Sequence, residues 1–207
     1  MDSPLRIIGF YWTLPVPWRG FTRLPGGIDA AAAASRSIRY QRERVWRWAK
    51  DEGGQVVAEE AFLETRADRG TSAILPEVER LLAKAEAMGA TLAVVNFAES
   101  FHWRPHASLW GRLQAAPRVM ALDPVPVLID GQIFDPVTHF RAWGEMAAAH
   151  TALKPKAKAE MAARIRRMKD TGASYAEIAK ALNAEGVTTP GGKPWRADNL
   201  RKLLAAL

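Results

Sequence analysis

Apolar positions along the chain keep two rhythms. Leu5–Thr13 (LRIIGFYWT) is a β-branched and aromatic run bounded by Pro4 and Pro15, which predicts a buried first strand. Leu14–Ile28 holds three prolines and three glycines, too many breakers for a regular element, and is expected as loop. From Asp29 an alanine-rich run leads into SRSIRYQRERVWRWAKDEGG, where Ile38, Val45 and Trp48 keep helical spacing and Gly53-Gly54 end the helix. Gln55–Phe62 reads as a short strand and Leu63–Ser72 as a polar turn. A helix opens at Pro76, turns Val78, Leu81, Leu82 and Ala85 to one side and stops at Gly89. The run ATLAVVNF, residues 90–97, is apolar without alternation, the pattern of a strand covered on both faces of a parallel sheet. Residues 100–117 read as a loop and a short helix, and RVMALD and PVPVLID (118–130) as two further extended segments. Strand alternating with helix over roughly 130 residues predicts an α/β fold, a largely parallel sheet flanked by helices.

Beyond residue 133 the helical period takes over. Phe134–Lys158 is expected as a helix leading out of the α/β domain, with Pro155 as the hinge. Trp143, Phe140 and Met146 on it could form an apolar seam or cap the sheet. Met161, Ile165 and Met168 mark the next helix, which also carries Arg164, Arg166, Arg167 and Lys169. Ser174 followed by Glu177 is a capping-box signature; Ile178 and Leu182 continue an apolar stripe, and Gly186 is placed for a left-handed cap. After the turn-rich Thr188–Pro194, Trp195 opens a last apolar repeat at Leu200, Leu203, Leu204 and Leu207. The expected organisation is 1–133 as the α/β domain, 134–158 as a connecting helix or linker, and 159–207 as a small all-helical, helix-turn-helix-like domain.

Charge sharpens this division. Residues 150–207 carry 12 Lys and Arg against 5 Asp and Glu, so their excess of +7 equals the formal charge of the whole protein, while residues 1–149 carry 17 of each sign. A basic excess confined to one end is the footprint of a module that sits on a polyanion, because each phosphate contact releases a counterion. Double-stranded DNA is the expected partner. Arg196, Asn199 and Lys202 recur at three-residue steps on the last helix and are the candidates for groove and phosphate contacts, with Arg164, Arg167 and Lys193 beside them. The plainer reading is a solvated basic face on a small bundle. The absence of cysteine excludes disulfides and thiolate chemistry, and 4 scattered His give no ligand spacing, so neither metal nor cofactor is expected. Apolar runs fall far short of the ~20 residues that span a bilayer, and the N-terminus has no signal-peptide core, which predicts a cytoplasmic, nucleoid-associated protein.

The order of parts resembles the serine recombinase (resolvase/invertase) family. The tail carries the closest likeness, in Gly172, Ser174, Glu177, Ile178, Ala179, Leu182, Asn183, Gly186, Val187, Thr189, Pro190, Gly192 and Trp195. The N-terminal part is similar in outline: a GFYW strand, Ser37–Gln41, GTSAILPEVERLL and LAVVNFAESFHW. The resemblance implies a resolvase-like fold and a serine that attacks a DNA phosphate beside a cluster of arginines. This chain departs from it there. Leu14 stands at the position of the nucleophile and Trp12 at that of the arginine two residues before it. Leu75 replaces the arginine preceding proline, and Ala98, Glu99 and His102 stand where the family has Asp, Arg and Arg. Each lost donor in comparable sites is worth roughly 3 to 4 kcal/mol, so no catalytic residue is expected. Thr13 lies next to the nucleophile position, but a one-residue shift along a strand turns its side chain to the other face. Gln41, shared with the family, is either a helix-surface amide or a relic of the site.

These residues predict a DNA-binding protein derived from serine recombinases that lacks strand cleavage and acts as a transcriptional regulator or architectural factor. The alternatives are an active recombinase with a rearranged site, and an interaction module whose α/β domain binds another protein. The family's dimerising helix would fall on Phe134–Lys158, which Gly144 and Pro155 interrupt. A homodimer or a partner protein would engage the α/β domain and residues 134–153.

Overall fold

Every residue of β1 (Arg6–Thr13) after the first is buried, as its unbroken apolar run requires. It lies between β2 (Gln55–Leu63) and β3 (Thr91–Val95), with β4 (Val119–Leu122) outside β3, in the order β2-β1-β3-β4, all parallel. The computed structural model describes residues 4–97, 106–189 and 192–206. The chain divides into two compact units, Met1–Val16 with Phe21–Ala142, and Pro17–Gly20 with Trp143–Leu207. The first unit is the expected α/β fold.

Its helices are α1 (Ile28–Ala34), α2 (Arg36–Asp51), α3 (Leu75–Met88) and α4 (Ala107–Leu113). The single helix expected from Asp29 onward is in fact two. Ser35 is extended at φ −132°, and its Oγ accepts from the Ile38 amide at 3.3 Å, so a serine inside the alanine-rich run starts α2 afresh. Gly89 ends α3 at φ 59°, the left-handed cap its position predicts.

β1 outruns β3, whose last pairing with it is Phe10 with Val94. Two residues on, a side chain takes over from the missing strand. Gln41 Oε1 accepts from the Trp12 amide at 3.1 Å, and its Nε2 donates to the Trp12 carbonyl at 2.7 Å and the Ser37 carbonyl at 3.0 Å. Gln41 is fully buried, which corrects its reading as a helix-surface amide.

A second polar hub joins the sheet to α2. Glu59 Oε1 accepts from the Tyr11 hydroxyl, Arg42 Nε and Trp46 Nε1, each at 2.9 Å. Burial first, and the Glu59 charge second, push the Tyr11 phenol well above its ordinary value, so it stays a donor. The Tyr11 ring lies over Gly9, where a methyl group would collide with the hydroxyl; only glycine allows this approach.

The basic residues of α2 are not a free charged face. Tyr40 donates to the Val125 carbonyl at 2.8 Å, Arg44 to that of Asp123 at 3.1 Å and Arg47 to that of Leu128, while Arg39 pairs with Asp130. They fasten the segment before β5 (Val127–Ile129) and the antiparallel hairpin it forms with β6 (Gln132–Phe134), which turns at Asp130 and Gly131 with φ of 52° and 75°. Phe134 therefore ends a strand and does not open a helix. Asp135 caps α5 (Pro136–Asp170), its Oδ1 accepting from the Val137 amide at 3.0 Å.

Pro155 lies inside α5 without ending it, which corrects the expected hinge. Proline removes one helical donor, and the carbonyl it leaves belongs to Thr151, an exposed residue on a stretch of α5 that faces solvent. Phe140 is buried edge-on to Phe97 at 5.1 Å and so caps the sheet. Trp143 meets Trp18 at 5.8 Å in the second unit, and Met146 is exposed. Among the described residues no helix is long and apolar enough to cross a membrane.

Replacing Gln41 with alanine leaves the Trp12 amide and carbonyl unpaired and should lower stability by about 2 to 4 kcal/mol in urea denaturation. A second outcome concerns pH. The His139 ring is tilted against Phe134 and edge-on to Phe140, and burial, aided by the Arg36 charge, lowers its pKa to about 4. The unfolded chain binds the proton first, so stability should fall as pH drops from about 6.5 to about 4. His139→Gln should flatten the urea midpoint across that window.

Candidate nucleic-acid interface

The second unit is built on the last turns of α5, α6 (Tyr175–Ala184) and α7 (Ala197–Ala205), around a core of Ile165, Ile178, Leu182, Trp195 and Leu200. The capping box forms as its residues predict. Ser174 Oγ accepts from the Glu177 amide at 3.3 Å, and Glu177 Oε2 accepts from the Ser174 amide at 2.7 Å. These bonds from Ser174 hold the Glu177 carboxyl below its ordinary value. Gly186 follows α6 at φ 72°, and the Val187 amide returns to the Leu182 carbonyl at 2.9 Å.

The turn into α7 depends on Asn183. Its Oδ1 accepts from the Trp195 amide at 2.7 Å and its Nδ2 donates to the Trp195 carbonyl at 2.9 Å. Trp195 was expected to open the final helix; it is buried ahead of it, and Arg196 takes the N-cap position in extended conformation. At the far end Lys158 Nζ donates to the Ala206 carbonyl at 3.2 Å, which ties α7 back to α5.

The six expected contact residues fall into two groups. Arg164 is paired with Glu185, and Lys202 with Asp198 at 2.7 Å, a bond that raises the Lys202 pKa. Arg167, Lys193 and Arg196 are exposed and have no carboxylate partner among the described residues; Asn199 is half-buried. Arg196 precedes the helix, so the three-residue steps do not place it on one helical face with Asn199 and Lys202. A further cluster went unnoticed in the sequence. Lys169 Nζ lies 4.8 Å and Arg201 Cζ 5.5 Å from the centroid of the Tyr175 ring. Tyr175 heads α6 directly after the cap Ser174, and that position beside a basic helix end was the available signal.

Of the positions at which the resemblance expects the recombinase chemistry, Trp12 and Leu14 lie at and just past the C-terminal end of β1 and Leu75 opens α3, all in the first unit. Trp12 is 1% exposed, edge-on to His106 at 4.9 Å and to Phe97 at 6.3 Å. His106 Nδ1 accepts from the Leu109 amide at 3.3 Å, so Nε2 carries the proton and donates to Glu64 Oε1 at 2.6 Å. Glu64 Oε2 accepts from Thr71 Oγ1 at 2.8 Å and the Thr65 amide at 3.1 Å. Both partners are fully enclosed, and a methyl at Gly70 would strike the His106 ring. Leu14 and Leu75 are half-buried and Thr13 is buried. Ala98, Glu99 and His102 lie outside the described residues. Glu64 and His106 are 42 residues apart, and no spacing pattern in the sequence joins them.

Residues 156–206 match the Recombinase family model. This supports a recombinase-family relationship for the segment running from the second half of α5 through α7, about a quarter of the 207 residues. No curated protein and no solved structure matches the chain. The recombinase segment holds the capping box, the Asn183 bridge and all the expected contact residues.

Asn183→Ala orphans both main-chain groups of Trp195 and should loosen the recombinase segment alone. Hydrogen exchange should accelerate by about tenfold or more for amides of α6 and α7 and stay unchanged in β1 and β3.

Proposed function

We propose that this chain is a DNA-binding protein derived from serine recombinases, one that has lost strand cleavage and acts as a transcriptional regulator or architectural factor. The observation that carries the reading is the uncompensated positive charge of the recombinase segment. Of its carboxylates, Glu185 and Asp198 are spent on Arg164 and Lys202 and Glu177 on the α6 cap. Arg166, Arg167, Lys169, Lys193, Arg196 and Arg201 remain without a carboxylate partner among the described residues, a distribution suited to backbone phosphates. The Lys202–Asp198 pair is exposed and screened by solvent, so a phosphate can displace the carboxylate.

Loss of cleavage is supported by what occupies the reaction's positions. Transfer of a phosphodiester to a hydroxyl needs a nucleophile and fixed cations in reach of one phosphate. Leu14, Trp12 and Leu75 offer none of these groups. Nearby, the Glu64–His106 pair already uses both carboxylate oxygens and both ring nitrogens within the protein. A second copy or a partner protein would engage the α/β unit and residues 134–153, where Met146 and Leu153 stand exposed at 38% and 62%.

The test is a band shift with duplex DNA across a salt series. Binding should weaken with a log–log slope of about −4 to −6, as for four to six neutralised phosphates. No covalent protein–DNA adduct should accumulate on supercoiled plasmid. Salt-independent binding, absence of binding, or a trapped adduct would overturn the reading.

A further inference from the structure

We propose that Lys169, Tyr175 and Arg201 form a seat for one backbone phosphate of duplex DNA, separate from the contacts made by Arg196, Asn199 and Lys202. The inference rests on the DNA-binding reading and goes beyond it by assigning a contact to residues from three different helices. Lys169 comes from the last turn of α5, Tyr175 from the first residue of α6 and Arg201 from the middle of α7. Their only common element is the ring: Lys169 Nζ at 4.8 Å and Arg201 Cζ at 5.5 Å from its centroid.

Bringing two cations to one ring is unfavourable unless something offsets their repulsion. The ring quadrupole offsets only part of it. A carboxylate would do more, and among the described residues none pairs with either cation. Glu177, whose carboxyl the Lys169 charge helps to hold ionised, is itself engaged by Ser174. Lys169 keeps one donor on the Ala173 carbonyl at 2.9 Å, which fixes the ammonium while leaving its other protons free. Arg201 is exposed, with no hydrogen bond to another described residue, and its planar fork suits a phosphate. The arrangement is therefore a pre-positioned pair of cations short of one anion. Elsewhere in the same segment, Arg164 and Lys202 do have carboxylates. A diester phosphate, singly charged and presenting two free oxygens, supplies the missing charge to both donors at once.

Such a contact reads the backbone and not the bases, and this separates it from the alternatives. In band shifts over a salt series, Arg201→Gln should make the log–log slope shallower by about 1 and weaken binding about tenfold, equally on two duplexes of unrelated sequence. Arg201→Lys should restore the slope, and Tyr175→Phe, which keeps the ring, should bind like the parent. Tyr175→Leu should weaken binding on both duplexes. Lys84→Gln, a charge removed on α3, should leave the slope unchanged, and far-UV circular dichroism should show native helix content in each variant. An undiminished slope in folded Arg201→Gln, or a loss confined to one duplex, overturns the seat while leaving the DNA-binding reading intact. A parent protein that binds neither duplex overturns both.

Discussion

In each unit a side-chain amide stands in for a missing backbone neighbour, and in each the residue it pairs is a tryptophan. Gln41 bonds the amide and carbonyl of Trp12 beyond its last pairing with β3, and Asn183, in the last turn of α6, bonds the same two groups of Trp195. Buried main-chain groups must be paired, and an unpaired one costs about 1–3 kcal/mol. A primary amide answers this need because it presents one acceptor and donors in one plane, as a peptide does. The packing around both tryptophans depends on these bonds. With Trp12 fixed, its ring meets Phe97 and His106, His106 reaches Glu64, and Glu64 holds the loop at Thr65 and Thr71. With Trp195 fixed, α7 begins at Ala197 and presents Arg196 and Arg201 to solvent.

The fold was legible where one side chain after another had a single destination. β1 and β3 are unbroken apolar runs, and a strand buried on both faces leaves no other reading. The capping box and Gly186 fixed α6 because their chemistry is local. What escaped was set at a distance or by solvent. Ser35 interrupts an alanine run whose propensity favours one helix, and it does so through a bond to Ile38. Pro155 is tolerated because its stretch of α5 is exposed, a fact that propensity does not contain. The carbonyl targets of Arg44 and Arg47 on α2 lie some 80 residues away, beyond the reach of any local pattern.

The nucleic-acid face was legible in its sum and not in its parts. Counting charges located the excess, because ionisable residues near the surface add whatever their geometry. It could not say which cations the few carboxylates would neutralise. Glu185 lies 21 residues from Arg164, and the Lys169–Tyr175–Arg201 cluster draws on three helices, so both appear only once the helices are packed. Helical stepping from Arg196 also assumed a helix already begun, whereas the chain there is still extended.

The surroundings of Trp12 also bear on how the α/β unit can change over evolutionary time. An arginine at position 12 would carry its charge into a space enclosed by Phe97 and His106, and an imidazole fixed as a donor to Glu64 has nothing to offer a guanidinium. Such a replacement becomes tolerable only after positions 97, 106 and 64 have altered too, and each alteration made first exposes a buried group. The interior is thus entrenched.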